Sequence, residues 1–274
     1  MQKAEYRIKR NDYMKKNIKN ILVYMLIYYI PVMIFVKTTP YLISYFAGKK
    51  QCVSDYFLYF LDWKNSAFVS TLEIVVISII MVVSIIKEQA SNRVILYDSM
   101  QKLWLVCIKR VIVITYIVPF INSVVIALTA LSNGAGWQCN WNETESVARA
   151  MVPYGDIVEC NTIVIIVLNY FLDMLRLQVT LFVICLVSWI SRSSIIVFIV
   201  VYFNVIISNV MKPINVAGLT FKGLYIRMIV NQRGIYLYGI SIKDYIVIPC
   251  VIWLILLIAS YLVFRFYRKD MLKN

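Results

Sequence analysis

Residues 87–110 read KEQASNRVILYDSMQKLWLVCIKR, and this charged stretch decides how the rest of the chain is arranged. Long apolar runs lie on both sides of it. A charged stretch between two membrane spans must lie on one face of the bilayer, and lysine and arginine mark the cytoplasmic face. The sequence therefore predicts that residues 87–110 face the cytoplasm.

The composition is typical of a membrane protein. Of the 274 residues, 61% are hydrophobic and 15% are charged, and the mean hydropathy is +0.76. Soluble domains have about 45–50% apolar residues, so this chain has too little polar surface for a soluble core. The length suits one membrane domain with short loops. We therefore predict a single transmembrane domain over residues 1–274.

The apolar runs predict an all-α, polytopic membrane protein with six transmembrane helices. The predicted spans cover residues 20–36, 66–86, 103–131, 162–190, 195–211 and 245–264. Seventeen of the 28 lysines and arginines fall in the segments that this arrangement puts inside, and ten fall outside. This sorting predicts a multi-pass protein of the plasma membrane with both termini in the cytoplasm.

Two further segments have an amphipathic pattern. Residues 1–19 carry seven lysines and arginines among apolar residues. They predict a helix on the inner membrane surface, with a disordered basic tail as the alternative. Residues 212–244 space their charges among apolar and aromatic residues, which predicts short external helices half-buried in the outer leaflet before the last span.

Several function classes find no support in the sequence. The chain has no histidine, which is the commonest general base and metal ligand, and no GxxxxGK[ST] loop for a nucleotide. Its net charge of +14 is sorted by membrane side, which indicates lipid headgroups and not nucleic acid. We predict no metal, no bound cofactor and no catalytic residue in this chain.

Three charged residues fall inside predicted spans, where charge is costly unless it is paired or meets water. Glu73 lies in the second span, and Asp173 and Arg176 lie in the fourth. Asp173 and Arg176 are three residues apart on one helix face and can pair. They predict either the lining of a substrate path or a structural pair near the outer interface, and Glu73 has the same two interpretations.

Two cysteines share the second outside loop, residues 132–161. Cys139 and Cys160 can form a disulfide in an oxidising compartment, although connectivity cannot be read from a sequence.

This arrangement resembles the permease subunit of ABC-2 type exporters, in particular the small bacterial peptide-export and immunity permeases. Glu88 stands where the family's second span ends, Arg93 lies in the short helix that follows, and Lys109 opens the third span. The closing FYRKD at residues 266–270 is similar to the family's aromatic-basic-Asp ending. The usual Gly and Pro of the loop are replaced by Ser91, Asn92, Asp98 and Ser99.

The resemblance implies a non-enzymatic subunit that moves an amphipathic cargo, a peptide such as a bacteriocin or a drug, across a bacterial plasma membrane. A separate ABC ATPase dimer, which holds ATP and Mg, docks on a coupling helix at residues 87–102, and a second permease subunit, identical or related, completes the path. The implied ATPase-coupling residues are Glu88, Ser91, Asn92, Arg93, Val94, Leu96 and Asp98. The alternative for this segment is a solvated loop that only marks topology.

A second function also fits the pattern. The chain can be a stand-alone secondary transporter or channel that uses Glu73, Asp173 and Arg176. A membrane enzyme or a signalling scaffold is a third alternative, and the enzyme is the weakest of these because the chain lacks histidine and any carboxylate cluster.

Overall fold

The computed structural model describes part of the chain, which divides into two units, Met1–Ala47 and Gly48–Asn274. The described residues are 23, 27, 48–60, 77–79, 81–82, 100–147, 161–191, 193, 195–200, 202–203, 214–216, 219–221 and 242–267. All elements named below belong to the second unit.

The longest element is α2, which covers Met100–Ser132 and contains Pro119 without ending there. Its only charged residues are Lys102, Lys109 and Arg110, all in the first third of the helix. The uncharged remainder, residues 111–132, extends about 33 Å at about 1.5 Å per residue. That length is close to the hydrocarbon thickness of a bilayer, about 30 Å.

A Schellman motif ends α2. The N–H of Ala135 donates to the carbonyl of Ala130, and the N–H of Gly134 donates to that of Leu131. Gly134 has a φ of +80°, which an L side chain rarely adopts. Ala130 and Ala135 are both buried beneath the turn, so the chain leaves the helix in a fixed direction.

Two further long helices pack with α2. Helix α3 covers Thr162–Ser191 and α4 covers Ile242–Tyr267, and α3 has extensive contacts with both α2 and α4. Near the start of α2, the Trp104 indole donates to Ser260 Oγ at 3.2 Å and meets the ring of Tyr261 edge-on. The start of α2 therefore lies beside the C-terminal half of α4.

Apolar side chains remain exposed along these helices. By length and composition, α2 and α3 are the two helices of the described residues that can cross a membrane. On α2 the exposed residues recur three, four or seven positions apart and form one stripe: Leu105, Ile112, Tyr116, Phe120, Val124, Leu128 and Leu131. On α4 a second stripe contains Val251, Leu254, Ile255, Ile258 and Leu262. Continuous apolar faces of this kind call for lipid or protein to cover them.

The short helix α1, Val53–Phe60, lies against the segment that follows α2. We call residues 48–60 and 133–147 together the cap. The side chains of Val53, Tyr56, Phe57 and Trp141 are buried in it. Thr162, the first residue of α3, accepts a hydrogen bond from Ser54 Oγ and donates one to the carbonyl of Trp137, so the cap is attached to the start of α3.

The helix predictions and the structure agree closely for three spans. The predicted spans 103–131, 162–190 and 245–264 correspond to α2, α3 and α4, with α2 and α4 longer by one to three residues at each end and α3 longer by one residue at its C-terminal end. Residues 77–79 and 81–82 of the second predicted span and 195–200 of the fifth are helical as well. These short helical pieces do not establish how many spans the chain has.

Part of the segment before the last span differs from its prediction. The sequence predicts short external helices over residues 212–244, but the described residues include strands β1, Ile214–Val216, and β2, Leu219–Phe221, which form an antiparallel pair with Val216 opposite Leu219. The β-branched residues Ile214, Val216 and Thr220 favour strands.

Candidate functional site

The cap joins two segments that are far apart in the chain. The N–H of Val53 donates to the carbonyl of Gly136 at 2.9 Å, and the N–H of Gly136 donates to that of Gln51 at 3.0 Å. Further along, the N–H of Lys50 donates to the carbonyl of Glu145, and Asn140 Nδ2 donates to the carbonyl of Lys50. These bonds fix the cap on both sides of Cys52.

Asp55 is the polar centre of the cap and is fully buried. It is the third residue of α1, and its Oδ2 accepts the backbone N–H of Cys52 at 2.8 Å, as the acidic residue of a capping box does. Its Oδ1 accepts the indole N–H of Trp141 at 2.9 Å. Burial, and secondarily the charge of Cys52, raises the pKa of Asp55 to about 8.

Two thiols meet beside Asp55. Cys52 is buried, Cys139 is half-buried, and both are free thiols on the two segments that the bridge between Cys52 and Gly136 joins. The interaction between the two thiols lowers the pKa of Cys139 to about 7 and raises the pKa of Cys52 well above its usual range. Cys139 is therefore the readier thiolate, and the thiolate is the nucleophilic form of cysteine.

A second polar contact lies between α2 and α3. Asn122 Nδ2 donates to Asp173 Oδ2 at 3.2 Å, and both side chains are half-buried. One turn earlier on α3, the side chain of Asn169 is 5% exposed, and neither of its amide atoms has a hydrogen-bond partner in the described part of the structure. The Tyr170 hydroxyl also donates to the carbonyl of Tyr116 on α2 at 3.3 Å. The helices therefore share two satisfied polar contacts, whereas the Asn169 amide is unsatisfied in the described structure, which is costly in apolar surroundings.

Few of the predicted site residues are among the described residues. Asp173 has Asn122 as a partner, and Arg176 lies one turn further along α3, where its side chain is not described. Cys139 lies beside Cys52, while its predicted partner Cys160 is outside the described residues and that pairing stays a prediction. Also outside them are Glu73 and the predicted coupling residues Glu88, Ser91, Asn92, Arg93, Val94, Leu96 and Asp98.

Sequence reasoning missed Asn122, Asp55 and Cys52 as site residues. Asn122 is a polar residue within an apolar run. It lies about as far from the end of α2 as Asp173 lies from the start of α3, and this similar depth could have suggested the contact. Asp55 follows Cys52 by three residues, the spacing of a capping box. The contact between Cys52 and Cys139 had no local signal, because it depends on pairing across the cap.

Among the described residues, no group of three Cys, Asp or Glu side chains is placed to hold a metal ion. Comparisons with protein-family models, with curated proteins and with solved structures find no match.

Proposed function

We propose that this chain is the membrane-spanning permease subunit of an ATP-driven ABC-2 type exporter. Six spans, cytoplasmic termini and a separate ATPase belong to this proposal, as does an amphipathic cargo such as a peptide or drug. The observation that carries it is the continuity of α2 from Met100 to Ser132.

The continuity matters because the coupling segment ends inside this helix. Residues 100–102, the last of the segment, form the first turn of α2. The same helix contains Lys102, Lys109 and Arg110 and the uncharged run 111–132, and its first 11 residues extend about 16 Å. A displacement applied at Met100 by a cytoplasmic partner would pass along one helix that continues beyond Pro119 to Ser132.

The exposed apolar stripes support the same proposal. Lipid can cover the stripes of α2 and α4, and a second permease subunit can cover the part that forms the cargo path. The position of Lys102, Lys109 and Arg110 at one end of α2 supports a cytoplasmic location for that end. In this arrangement the cap lies on the outer side.

The direct test of this proposal is contact with an ATPase. A photo-crosslinking residue at position 94 or 96 should join the full-length chain to a cytoplasmic ABC ATPase in membranes. The matched control carries the same residue at Leu131, which is exposed at the opposite end of α2, and should give no such product. Absence of an ATPase adduct at both 94 and 96 would contradict the docking site.

A coupling test follows from the charges in the same segment. Replacement of both Glu88 and Arg93 by Ala should leave ATP hydrolysis intact and remove its stimulation by cargo. The control is replacement of Lys50 and Glu143, a charge pair in the cap, which should leave coupling unchanged. If cargo still stimulates ATP hydrolysis in the Glu88/Arg93 variant, these two residues do not couple the ATPase to transport.

A stand-alone transporter or channel is the second candidate function, and the α2–α3 interface favours it. Asn169 and the Asn122–Asp173 pair put polar groups within apolar helices, where water or an ion could satisfy them. Purified chain in proteoliposomes distinguishes the two functions. Transport driven by an ion gradient with no ATPase present would favour this candidate over the exporter.

A further inference from the structure

We propose that Cys52 and Cys139 form a redox-active dithiol that closes to an intramolecular disulfide across the cap, with Cys139 as the entry thiol and Cys52 as the resolving thiol. The proposal rests on the outer location of the cap in the proposed function. Disulfides form and persist on that side of the membrane, where the cytosolic reducing systems do not act.

The first support is geometric. The segment that carries Cys139 is hydrogen-bonded to the segment that carries Cys52, because the N–H of Gly136 donates to the carbonyl of Gln51 and Asn140 Nδ2 donates to the carbonyl of Lys50. Gly136, three residues before Cys139, forms an isolated bridge with Cys52 itself. The sulfurs must approach to about 2.05 Å in a disulfide, and both lie on segments that these bonds hold side by side.

The second support is the difference in exposure between the two thiols. Cys52 is 0% exposed, whereas Cys139 is half-buried and open to solvent on one side. An external disulfide can therefore reach Cys139 and not Cys52. The interaction with Cys52 also lowers the pKa of Cys139, so the accessible sulfur is the readier nucleophile.

The third support is Asp55, which lies against the Cys52 thiol. Its carboxylate already accepts the backbone N–H of Cys52, and it also interacts with the Cys52 side chain. A carboxyl whose pKa is about 8 is mostly protonated at neutral pH and accepts a proton once it is ionised, at about pH 8 and above. Asp55 is thus placed to receive the thiol proton of the buried cysteine at the resolving step.

The reaction is a thiol–disulfide exchange with an external disulfide, RSSR, of low molecular weight or on a carrier protein. The Cys139 thiolate attacks one sulfur of RSSR, forms the mixed disulfide Cys139–S–S–R and releases RS⁻. Cys52 then loses its proton to Asp55, attacks Cys139 Sγ and expels the second RS⁻. Both cysteines are oxidised, RSSR is reduced to two thiols, and the two cysteine protons end on those thiols.

The test uses full-length protein in intact cells, reduced first with a membrane-impermeant phosphine and then treated with hydroxyethyl disulfide. After acid quenching and alkylation, mass spectrometry of digested protein should find one peptide pair joined through Cys52 and Cys139. In Cys52→Ser, Cys139 should accumulate as a mixed disulfide with the probe. In Cys139→Ser, Cys52 should stay unmodified, and Cys250→Ser, altered in α4, should behave as the wild type.

A separate measurement fixes the location of the cap. Thr144→Cys, exposed in the cap, is placed in a chain that lacks Cys52, Cys139 and Cys160 and is treated with an impermeant maleimide. Labelling in intact cells would confirm that the cap lies on the outer side of the membrane. If the cap is labelled there and Cys52 and Cys139 still stay reduced, or Cys139 joins Cys160 instead, the dithiol is overturned and the proposed function stands. Labelling only after permeabilisation overturns the outer location and the dithiol with it.

Discussion

The cap and the α2–α3 interface are both places where distant parts of the chain meet, but they are held in different ways. In the cap, a buried carboxylate, backbone hydrogen bonds and a Schellman turn fix the contact. Between α2 and α3 the contact is mainly apolar, with hydrogen bonds from Asn122 to Asp173 and from the Tyr170 hydroxyl to the carbonyl of Tyr116. Polar groups therefore specify the cap, whereas shape and apolar surface specify the helix packing.

The difference has a physical origin. In the cap, non-helical backbone needs hydrogen-bond partners outside its own segment, and loss of one partner leaves a buried group unsatisfied. In a transmembrane helix the backbone satisfies itself, so one side-chain bond between helices contributes about 0.6 kcal/mol. Substitutions in the cap should consequently cost more than substitutions at the interface, and the predictions below test this order.

The largest effect is expected for Asp55→Ala. The change leaves the Trp141 indole N–H and the Cys52 backbone N–H buried without their acceptor, at about 1–3 kcal/mol each. Thermal unfolding in detergent micelles should show a loss of about 2–5 kcal/mol. Glu143→Ala is the control, because its ion pair with Lys50 is largely exposed and its loss should be undetectable. Equal losses in both variants would contradict the central role of Asp55.

The pH dependence of stability tests the same carboxyl. The pKa of Asp55 is about 8 in the folded state, above the usual 3.8, so the folded state holds this proton more tightly than the unfolded state. Its contribution to stability is complete below about pH 4 and is lost as the pH rises to about 8. The melting temperature of the wild type should therefore fall over this range relative to Asp55→Asn.

The useful pH range for this comparison is limited by Cys139. Its pKa of about 7 is below its usual value of 9, so its contribution to stability increases as the pH rises from about 7 to 9 and opposes that of Asp55. Melting temperatures between pH 4.5 and 6.5 isolate Asp55. Parallel pH curves for the wild type and Asp55→Asn would show that burial does not perturb this carboxyl.

A smaller loss is expected for Gly134→Ala. The alanine would have to adopt a φ of +80°, at a cost of about 1 kcal/mol, although nothing within 4 Å obstructs its side chain. Gly136→Ala is the matched control, since its added Cβ meets the carbonyl of Gln51 at an ordinary 3.7 Å. Chemical denaturation should rank Gly134→Ala as the less stable, and the opposite ranking would argue against the Schellman end of α2.

The smallest loss is expected for Asn122→Leu at the α2–α3 interface, about 0.6 kcal/mol for one interhelical hydrogen bond. Asn169→Leu, one turn from Asp173, provides the comparison. It removes an amide that has no partner in the described structure, so stability should stay constant or rise. Steric trapping or denaturant titration in micelles measures both variants. A loss in Asn122→Leu that exceeds the loss in Asp55→Ala would reverse the order proposed for the two regions.

The length of the apolar runs predicted those helices whose sequences contain no signal for another structure. The runs at 103–131, 162–190 and 245–264 identified α2, α3 and α4, because a long uncharged segment has few other ways to satisfy its backbone. Charges inside the runs identified Asp173 as a candidate. The sequence did not predict the strand pair Ile214–Val216 and Leu219–Phe221. Over so few residues, the spacing of apolar and polar residues does not distinguish a helix from a strand.

The sequence by itself determined that α2 is apolar after Arg110, which residues are charged within it and where Gly134 allows it to end, since these depend only on neighbouring residues. The tertiary structure decided that Cys52 lies beside Cys139, that Asp55 accepts from Trp141, and that Asn122 reaches Asp173. Each of these contacts joins residues at least 50 positions apart, and their approach depends on how helices and cap pack, which no local pattern encodes.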